Sequence, residues 1–542
     1  MPDGLPMPRA MRDHRTVVVG AGVGGLVTGL QLACAGVQVT LVERAATPGG
    51  KMRRVEAGGA SIDSGPTVFT MRWVFEQIFA GAGASLDQSL RLTPLPVLAR
   101  HAWRDGSRLD LFADHERSVD AIGDFAGAAE AKRFRAFCAQ ARDVYDALEG
   151  PYIRSSRPSL IGMGTSLGLR GMKELTKLGP FTSLASNLAR QFNDPRLRQL
   201  FGRYATYCGS SPWTAPATLL LVAQVEMDGV WSVDGGMHGL ACALAALAVE
   251  RGATIRYGTA VDEILVRAGQ ACGVMLAGGE RIDADSVVFN GDAHALASGC
   301  LGTAVAGAVD RVPHSARSLS AVTWSMHAQT GGGFPLENHN VFFDDDYASE
   351  FRDIFGAGRL PSKPTVYVCA QDRGGHEAGN GSPVAVPGPA SGGRERLLCL
   401  VNAPARGDSR PLEPSEIDAC EQRMQALLSS CGLEMEIDPA TTVRTSPNEF
   451  ERLFPATGGS LYGRATQGWM ALFKRSSSTS RLPGLYLAGG SVHPGPGVPM
   501  AAMSGQLAAA TLLGHLDSTS RSARVVISGG MSTRSVTTAA TA

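Results

Sequence analysis

The sequence predicts an α/β protein in which one doubly wound parallel sheet is assembled from separated stretches of chain, with an α+β domain inserted between them. Three observations carry this. A strand, a glycine turn, a helix and a second strand follow one another over residues 16–43. A run of short alternating strands with Gly-rich turns, ending in a return strand at 286–290, fills residues 252–292. A last strand–turn–helix, GLYLAGGSVHPGPGVPMAAMSGQLAAATLLGHL, closes the patterned part of the chain. The blocks between lack this character, so the expected division is 1–95, 226–294 and 441–516 for the first domain and 96–225 and 295–440 for the second. A Ser-, Thr- and Ala-rich tail, 517–542, is expected to be disordered, and the Gly/Pro/Ser-rich stretch 373–394 to be a surface loop.

Composition bounds the function. With 44% apolar and 18% charged residues the chain is globular, and 542 residues exceed one ordinary core. Fifty basic residues balance fifty acidic ones, which argues against a nucleic-acid partner held by bulk charge. The 10 cysteines contain no C-x-x-C pair, so reduced thiols are expected, with no metal site and no cysteine-bound cluster. No apolar run precedes Val17, and no uninterrupted apolar stretch has the length of a membrane span, so neither a secretory signal nor a spanning helix is expected.

Gly20, Gly22 and Gly25 form G-x-G-x-x-G directly after the first strand. The first permits the tight turn, the second lets a pyrophosphate approach the backbone, and the third lets helix and strand pack closely. The helix N-terminus offers free N–H groups and partial positive charge to phosphate. Glu43 ends the second strand, where a carboxylate accepts from ribose hydroxyls. Gly49 and Gly50, followed by Lys51, bring backbone and a cation to a further phosphate–ribityl stretch. That addition, and the remote C-terminal glycine segment, favour FAD over a nicotinamide cofactor.

The stretches GAGVGGL…LVERAATPGGKMR…IDSGPTVF, GVWSVDGGMHGL and LYLAGGSVHPGPGVPMAAMSGQLAA resemble the amine-oxidase-type flavoproteins, and among them the carotenoid (phytoene-type) desaturases. GPTVFTMRWVFEQIF, NVFFDDDYASEFRDIF and KPTVYVCAQDR resemble more narrowly the desaturases of 1-hydroxylated acyclic carotenoids, the 1-hydroxycarotenoid 3,4-desaturases. The resemblance implies a discontinuous Rossmann-type FAD-binding domain of amine-oxidase/phytoene-desaturase type. It implies that Gly20, Gly22, Gly25, Glu43, Gly50, Lys51 and Val261 line the adenosine half of the FAD site, and that Gly489, Gly490 and Ser491 meet the pyrophosphate–ribityl stretch. The closing helix, starting near Pro499, Met500 and Ala501, would point its N-terminus at the pyrimidine edge of the flavin ring, where the reduced form carries negative charge. Gly489, His493, Pro494, Gly495, Gly497 and Pro499 match the family's last motif, whereas Ser491, Val492 and Pro496 depart from it.

The activity so implied is removal of two hydrogens from an unactivated carbon–carbon bond, a hydride passing to flavin N5 and a proton leaving, to form the C3–C4 double bond of a 1-hydroxylated acyclic carotenoid. Alternatives are a phytoene-type desaturase of an unhydroxylated carotenoid, an amine oxidase of the same fold, and a non-catalytic carrier. No catalytic pair stands out. His493 is the sole candidate, with a structural hydrogen bond as its other reading. Tyr204 and Tyr207 line a substrate cavity or are helix-spaced core aromatics. Lys474 and Arg475 meet a flavin phosphate or are solvated charge. Residues 101–112 read as a hairpin with an Asp-Gly turn. The implied partners are a long apolar polyene and a membrane surface, with oxygen or a quinone as electron acceptor. The implied location is cytoplasmic, peripheral to the inner membrane, with residues 160–184 facing the bilayer or forming an ordinary solvent-facing amphipathic helix.

Overall fold

The computed structural model describes residues 13–156, 182–373, 376–377, 383–384 and 393–528. Its first sheet has five parallel strands in the order Leu485–Leu487, Ser286–Phe289, Arg15–Val19, Gln38–Val42, Thr254–Arg256. Strands covered on both faces are apolar throughout, and Val17, Val18, Leu41, Val287 and Val288 are accordingly buried. The buried Thr16 and Ser286 hydroxyls bond each other at 2.9 Å, so the two polar residues of adjacent strands satisfy one another. The helix after the first strand, Val23–Cys34, is the one expected to meet phosphate and is called the phosphate helix; it packs so closely that a Cβ on Gly29 would stand 2.8 Å from Leu41 Cδ1.

The closing helix, Val498–Ser528, lies on the phosphate helix. Thr28 Oγ1 donates to Gly505 O at 3.1 Å, and a Cβ on Gly505 would meet Gly24 O at 2.3 Å, so glycine on both helices permits the approach. The helix continues past 516 to Ser528, which corrects the tail expected to lack order from 517 onward; residues 529–542 lie outside the described residues.

The second sheet runs Leu433–Met435, Ser320–Gly332, Arg394–Ala403, Val366–Ala370, His339–Phe343, Val97–Trp103, Arg108–Phe112. Thr442–Thr445 also pairs with Ser320–Gly332, so a boundary at 441 places this strand in the wrong domain. The expected hairpin is present, with Gly106 N donating to Trp103 O at 3.0 Å across its turn. Strand alternation divides the sheet's side chains. Trp324, Met326, Phe342, Val366 and Val368 form a core with Cys420, Met424, Leu427 and Leu428 of the helix Pro414–Ser430. Val341 and Phe343 point the other way, into the main core, where Phe134, Phe137, Phe192 and Phe201 from the helical part of the inserted block join them. Phe137 and Phe201 have centroids 4.7 Å apart, a contact that adds to simple burial. The site lies between this face and the first sheet. Of the loop 373–394, two short paired strands, His376–Glu377 and Pro383–Val384, and the flanking ends are described.

Candidate active site

The glycine turn is built as its spacing requires. Gly20 has φ +99° and donates its N–H to Val42 O at 2.8 Å. A Cβ on Gly25 would stand 2.1 Å from Gly20 O, so only hydrogen fits. Gly22 caps the phosphate helix without a side-chain bond, and no acid occupies the first turn. The first helical N–H groups are thus left for an anion. Glu43 is buried at the mouth, but its carboxylate already accepts from Ala21 N (2.7 Å) and Ala45 N (2.9 Å). The half-buried Val261 follows Thr259, whose N–H donates to Glu43 O at 2.9 Å. Gly49 N donates to Ala21 O at 2.9 Å, and a Cβ on Gly50 (φ +58°) would lie 3.3 Å from Gly22 Cα. The two N-terminal glycine segments therefore touch. Lys51 beside them donates to Leu461 O at 2.6 Å, and burial lowers its pKa against the pull of Asp292.

The remote C-terminal segment comes to the same place. Gly489, at φ +111°, donates to Ser504 Oγ at 2.7 Å. Ser491 Oγ accepts from Ala293 N at 3.1 Å. Gly490 packs under the first turn of the closing helix, where the half-buried Met500 lies and no acid is present. The junction is Asn290, which the sequence reading missed. Its Nδ2 donates to Gly20 O at 3.2 Å. A Cβ on Gly24 would stand 2.7 Å from both Asn290 Oδ1 and Gly489 N. The available signal was a polar residue at the carboxyl end of a central parallel strand, where open α/β sheets bind ligands.

His493 is almost fully buried, with 2% exposure. Its Nε2 is 2.9 Å from Ser155 O and its ring meets Tyr152 edge-on at 4.9 Å. Burial pulls its pKa down to about 4, so the imidazole is neutral at physiological pH. Arg475 is half-buried and donates to the carbonyls of Tyr462 (3.1 Å) and Arg464 (2.6 Å), whereas Lys474 is exposed. Tyr204 and Tyr207 both donate to Glu226, and Tyr207 retains accessible surface.

These residues fit a bound dinucleotide. Among the described residues neither Lys51 nor Arg475 has a carboxylate within ion-pair distance; both cations are hydrogen-bonded to carbonyls, with Asp292 acting on them only from farther off. A bound pyrophosphate would supply a countercharge close to both.

A phosphate-binding turn on a doubly wound sheet, closed by a glycine segment from the far end of the chain, defines a dinucleotide-dependent oxidoreductase. Residues 23–513 match the flavin containing amine oxidoreductases, and the chain belongs to that family. It is 63% identical over 533 residues to the hydroxyneurosporene desaturase of Rubrivivax gelatinosus, covering 98% of this chain and 99% of that one. It is 45% identical to the hydroxyneurosporene desaturase of Cereibacter sphaeroides, over 94% of this chain and 99% of that one. A solved oxidoreductase from Methanosarcina mazei shares the fold, with TM-score 0.56 at 16% identity over 91% of this chain and 99% of that one. The protein is an FAD-dependent oxidoreductase, and the expected kinship with carotenoid desaturases is borne out.

Proposed function

We propose that this chain introduces the C3–C4 double bond into an acyclic, 1-hydroxylated carotenoid during carotenoid biosynthesis. The observation that carries the reading is its 63% identity, end to end, with a hydroxyneurosporene desaturase. Bound FAD supplies the hydride acceptor that an unactivated carbon–carbon bond needs. On this reading Gly20, Gly22, Gly25, Glu43, Gly50, Lys51 and Val261 hold the adenosine half. Gly489, Gly490, Ser491 and Met500 hold the other. The inserted block would supply the apolar surface that excludes water and holds the polyene in register, with Phe343, Val341 and the phenylalanines of the helical block forming the packed core behind it. His493, neutral and tied to Ser155, orients the turn beside the cofactor rather than taking the departing proton.

The substrate is membrane-soluble, and among the described residues no helix is long and apolar enough to cross a bilayer. We propose, from the membrane-soluble substrate of this reading, that the enzyme sits peripherally on the cytoplasmic side of the inner membrane, with oxygen or a membrane quinone receiving the electrons. Residues 160–184, expected to face the bilayer, lie outside the described residues up to 181. Flotation with liposomes tests the attachment, and failure to float removes it. For the reaction, FAD-loaded protein is mixed anaerobically with a 1-hydroxylated acyclic polyene. The expected result is bleaching of the flavin band with a red shift of the carotenoid; bleaching by amines instead assigns an amine oxidase, and no bleaching refutes the reading.

A further inference from the structure

The tight turn Arg203–Cys208 follows the helix Pro195–Gly202 and carries an arginine into the interior. Arg203 Nη1 donates to Tyr207 Oη at 2.8 Å. The guanidinium lies over the rings of Tyr207 and Tyr367, 5.0 and 5.4 Å from their centroids. Tyr207 and Tyr204 in turn donate to the two oxygens of Glu226, each at 2.8 Å. An arginine has five N–H donors. Among the described residues Arg203 finds a side-chain or carbonyl acceptor for one, and it has no carboxylate within ion-pair distance. It is half-buried, so part of the guanidinium keeps accessible surface and its remaining donors are not all sealed against packed apolar atoms. Interior donors left without acceptors are costly, and such an arrangement is built for an acceptor that arrives with a ligand.

The position of this arginine relative to the cofactor cradle suggests which ligand. On one side, Tyr367 Oη bonds Thr67 Oγ1 at 2.6 Å. Thr67 follows Gly65, where a Cβ would stand 1.8 Å from Lys51 O. On the other side, Gly209 packs on Tyr462, with a Cβ there 2.7 Å from the ring, and Tyr462 O accepts from Arg475. The ring beneath the arginine thus leads through Thr67 to the Lys51 side of the cradle, and the turn that carries the arginine ends against Tyr462, whose carbonyl Arg475 holds. In a 1-hydroxylated carotenoid the hydroxyl carbon is two bonds from C3, one of the two carbons that lose hydrogen. A group that reads this hydroxyl must therefore sit beside the flavin, not at the far end of a tunnel.

We propose that Arg203, anchored by Tyr207, donates to the tertiary hydroxyl of the substrate and so selects hydroxylated over unhydroxylated chain ends. The inference rests on the desaturase reading above and names the residue that gives that reaction its end-group specificity. Glu226, joined to Arg203 through Tyr207, offsets the cation, so the site orients the chain without opposing the positive charge that develops as hydride leaves. His339, on the neighbouring strand, is kept neutral, its pKa about 3, by burial and then by the Arg203 charge, so the guanidinium is the cation of this part of the cavity.

The test uses full-length, FAD-loaded protein, mixed anaerobically with a 1-hydroxylated acyclic polyene and separately with its deoxy counterpart, following flavin reduction. Wild type is expected to favour the hydroxylated polyene. Arg203→Met is expected to weaken its apparent affinity about 10- to 100-fold, the worth of one hydrogen bond from a charged donor. The deoxy polyene should change by less than about twofold, with flavin content unaltered, and Arg203→Lys should recover part of the loss. Tyr207→Phe keeps the ring and removes the anchor. Its smaller selective loss decides the matter should Arg203→Met not fold. Equal losses on both polyenes, or a preference that survives in the variants, overturns the inference while leaving the desaturase reading intact. Wild-type flavin reduced by neither polyene removes both.

Discussion

The substitution Gly24→Ala tests the joint between the two ends of the chain directly. Gly24 is a free position of G-x-G-x-x-G, so the motif places no demand on it. In an open helix the change would stabilise by about 1 kcal/mol. Here the added methyl would lie 2.7 Å from Gly489 N, 2.7 Å from Asn290 Oδ1 and 3.0 Å from Ala501 O, where ordinary contact begins at 3.4 Å. The Asn290 side chain can yield only by giving up its bond to Gly20 O. Gly489 N is backbone tied to Ser504. The phosphate helix and the closing segment must therefore part by about 0.7 Å, the difference between 3.4 and 2.7. Overpacking of this kind costs about 1–3 kcal/mol. Because the same two segments grip the cofactor, FAD affinity is expected to fall about 10- to 100-fold, since 1.4 kcal/mol is tenfold. Thermal unfolding and FAD titration of the purified protein measure both. Gly81→Ala, with nothing within 4 Å of its Cβ, is the control and should match wild type. A Gly24→Ala protein with wild-type melting and FAD affinity would show that these segments do not meet.

Three further predictions follow from the same geometry. Glu43→Ala leaves the N–H groups of Ala21 and Ala45 without their acceptor and should cost about 2 kcal/mol even in flavin-free protein, read by urea unfolding; a loss confined to FAD binding would contradict the hydrogen bonds described. Lys51→Met removes a desolvated cation from the cradle and should lower FAD affinity about tenfold or more by titration, with Lys51→Arg intermediate; unchanged affinity would place the phosphate elsewhere. Glu350 is fully buried, and burial raises its carboxyl pKa to about 7 from 4.5, so its stabilising protonated form is whole below 4.5 and is lost as pH rises through 7. Glu350→Gln should therefore gain on wild type by about 3 kcal/mol between those limits in urea midpoints, and a difference independent of pH would refute the shift.

What was legible in the chain was what local backbone geometry demands. The turn at Gly20, the close packing at Gly25 and the acid ending the second strand follow from a few adjacent residues, and parallel strands buried on both faces announce themselves as apolar runs. Long-range partners were not legible. Asn290 carries one weak signal, its place at the carboxyl end of a central parallel strand, but its partners Gly20 and Gly489 are far away in sequence and nothing local names them. Gly24 and Gly505 look like any helical glycines until their helices are seen to touch. His339–Phe343 pairs in parallel with Val97–Trp103, a match no local pattern encodes, and Thr442–Thr445 is too short to declare its sheet. Tyr204 and Tyr207 were noticed, yet Arg203 beside them was not, since an arginine in a helical stretch usually faces water.

The covering of the phosphate helix by the closing helix sets an order of events at the ribosome. The strand Ser286–Phe289 is the immediate neighbour of Arg15–Val19, and Gly505, which lies against Gly24 and Thr28, is made long after both. The first βα unit must therefore wait, with an apolar helix uncovered, while most of the polypeptide is made, a state that invites chaperone binding and aggregation. Cofactor capture belongs after the closing helix has been made, and nascent chains stalled before residue 505 are expected to carry no flavin.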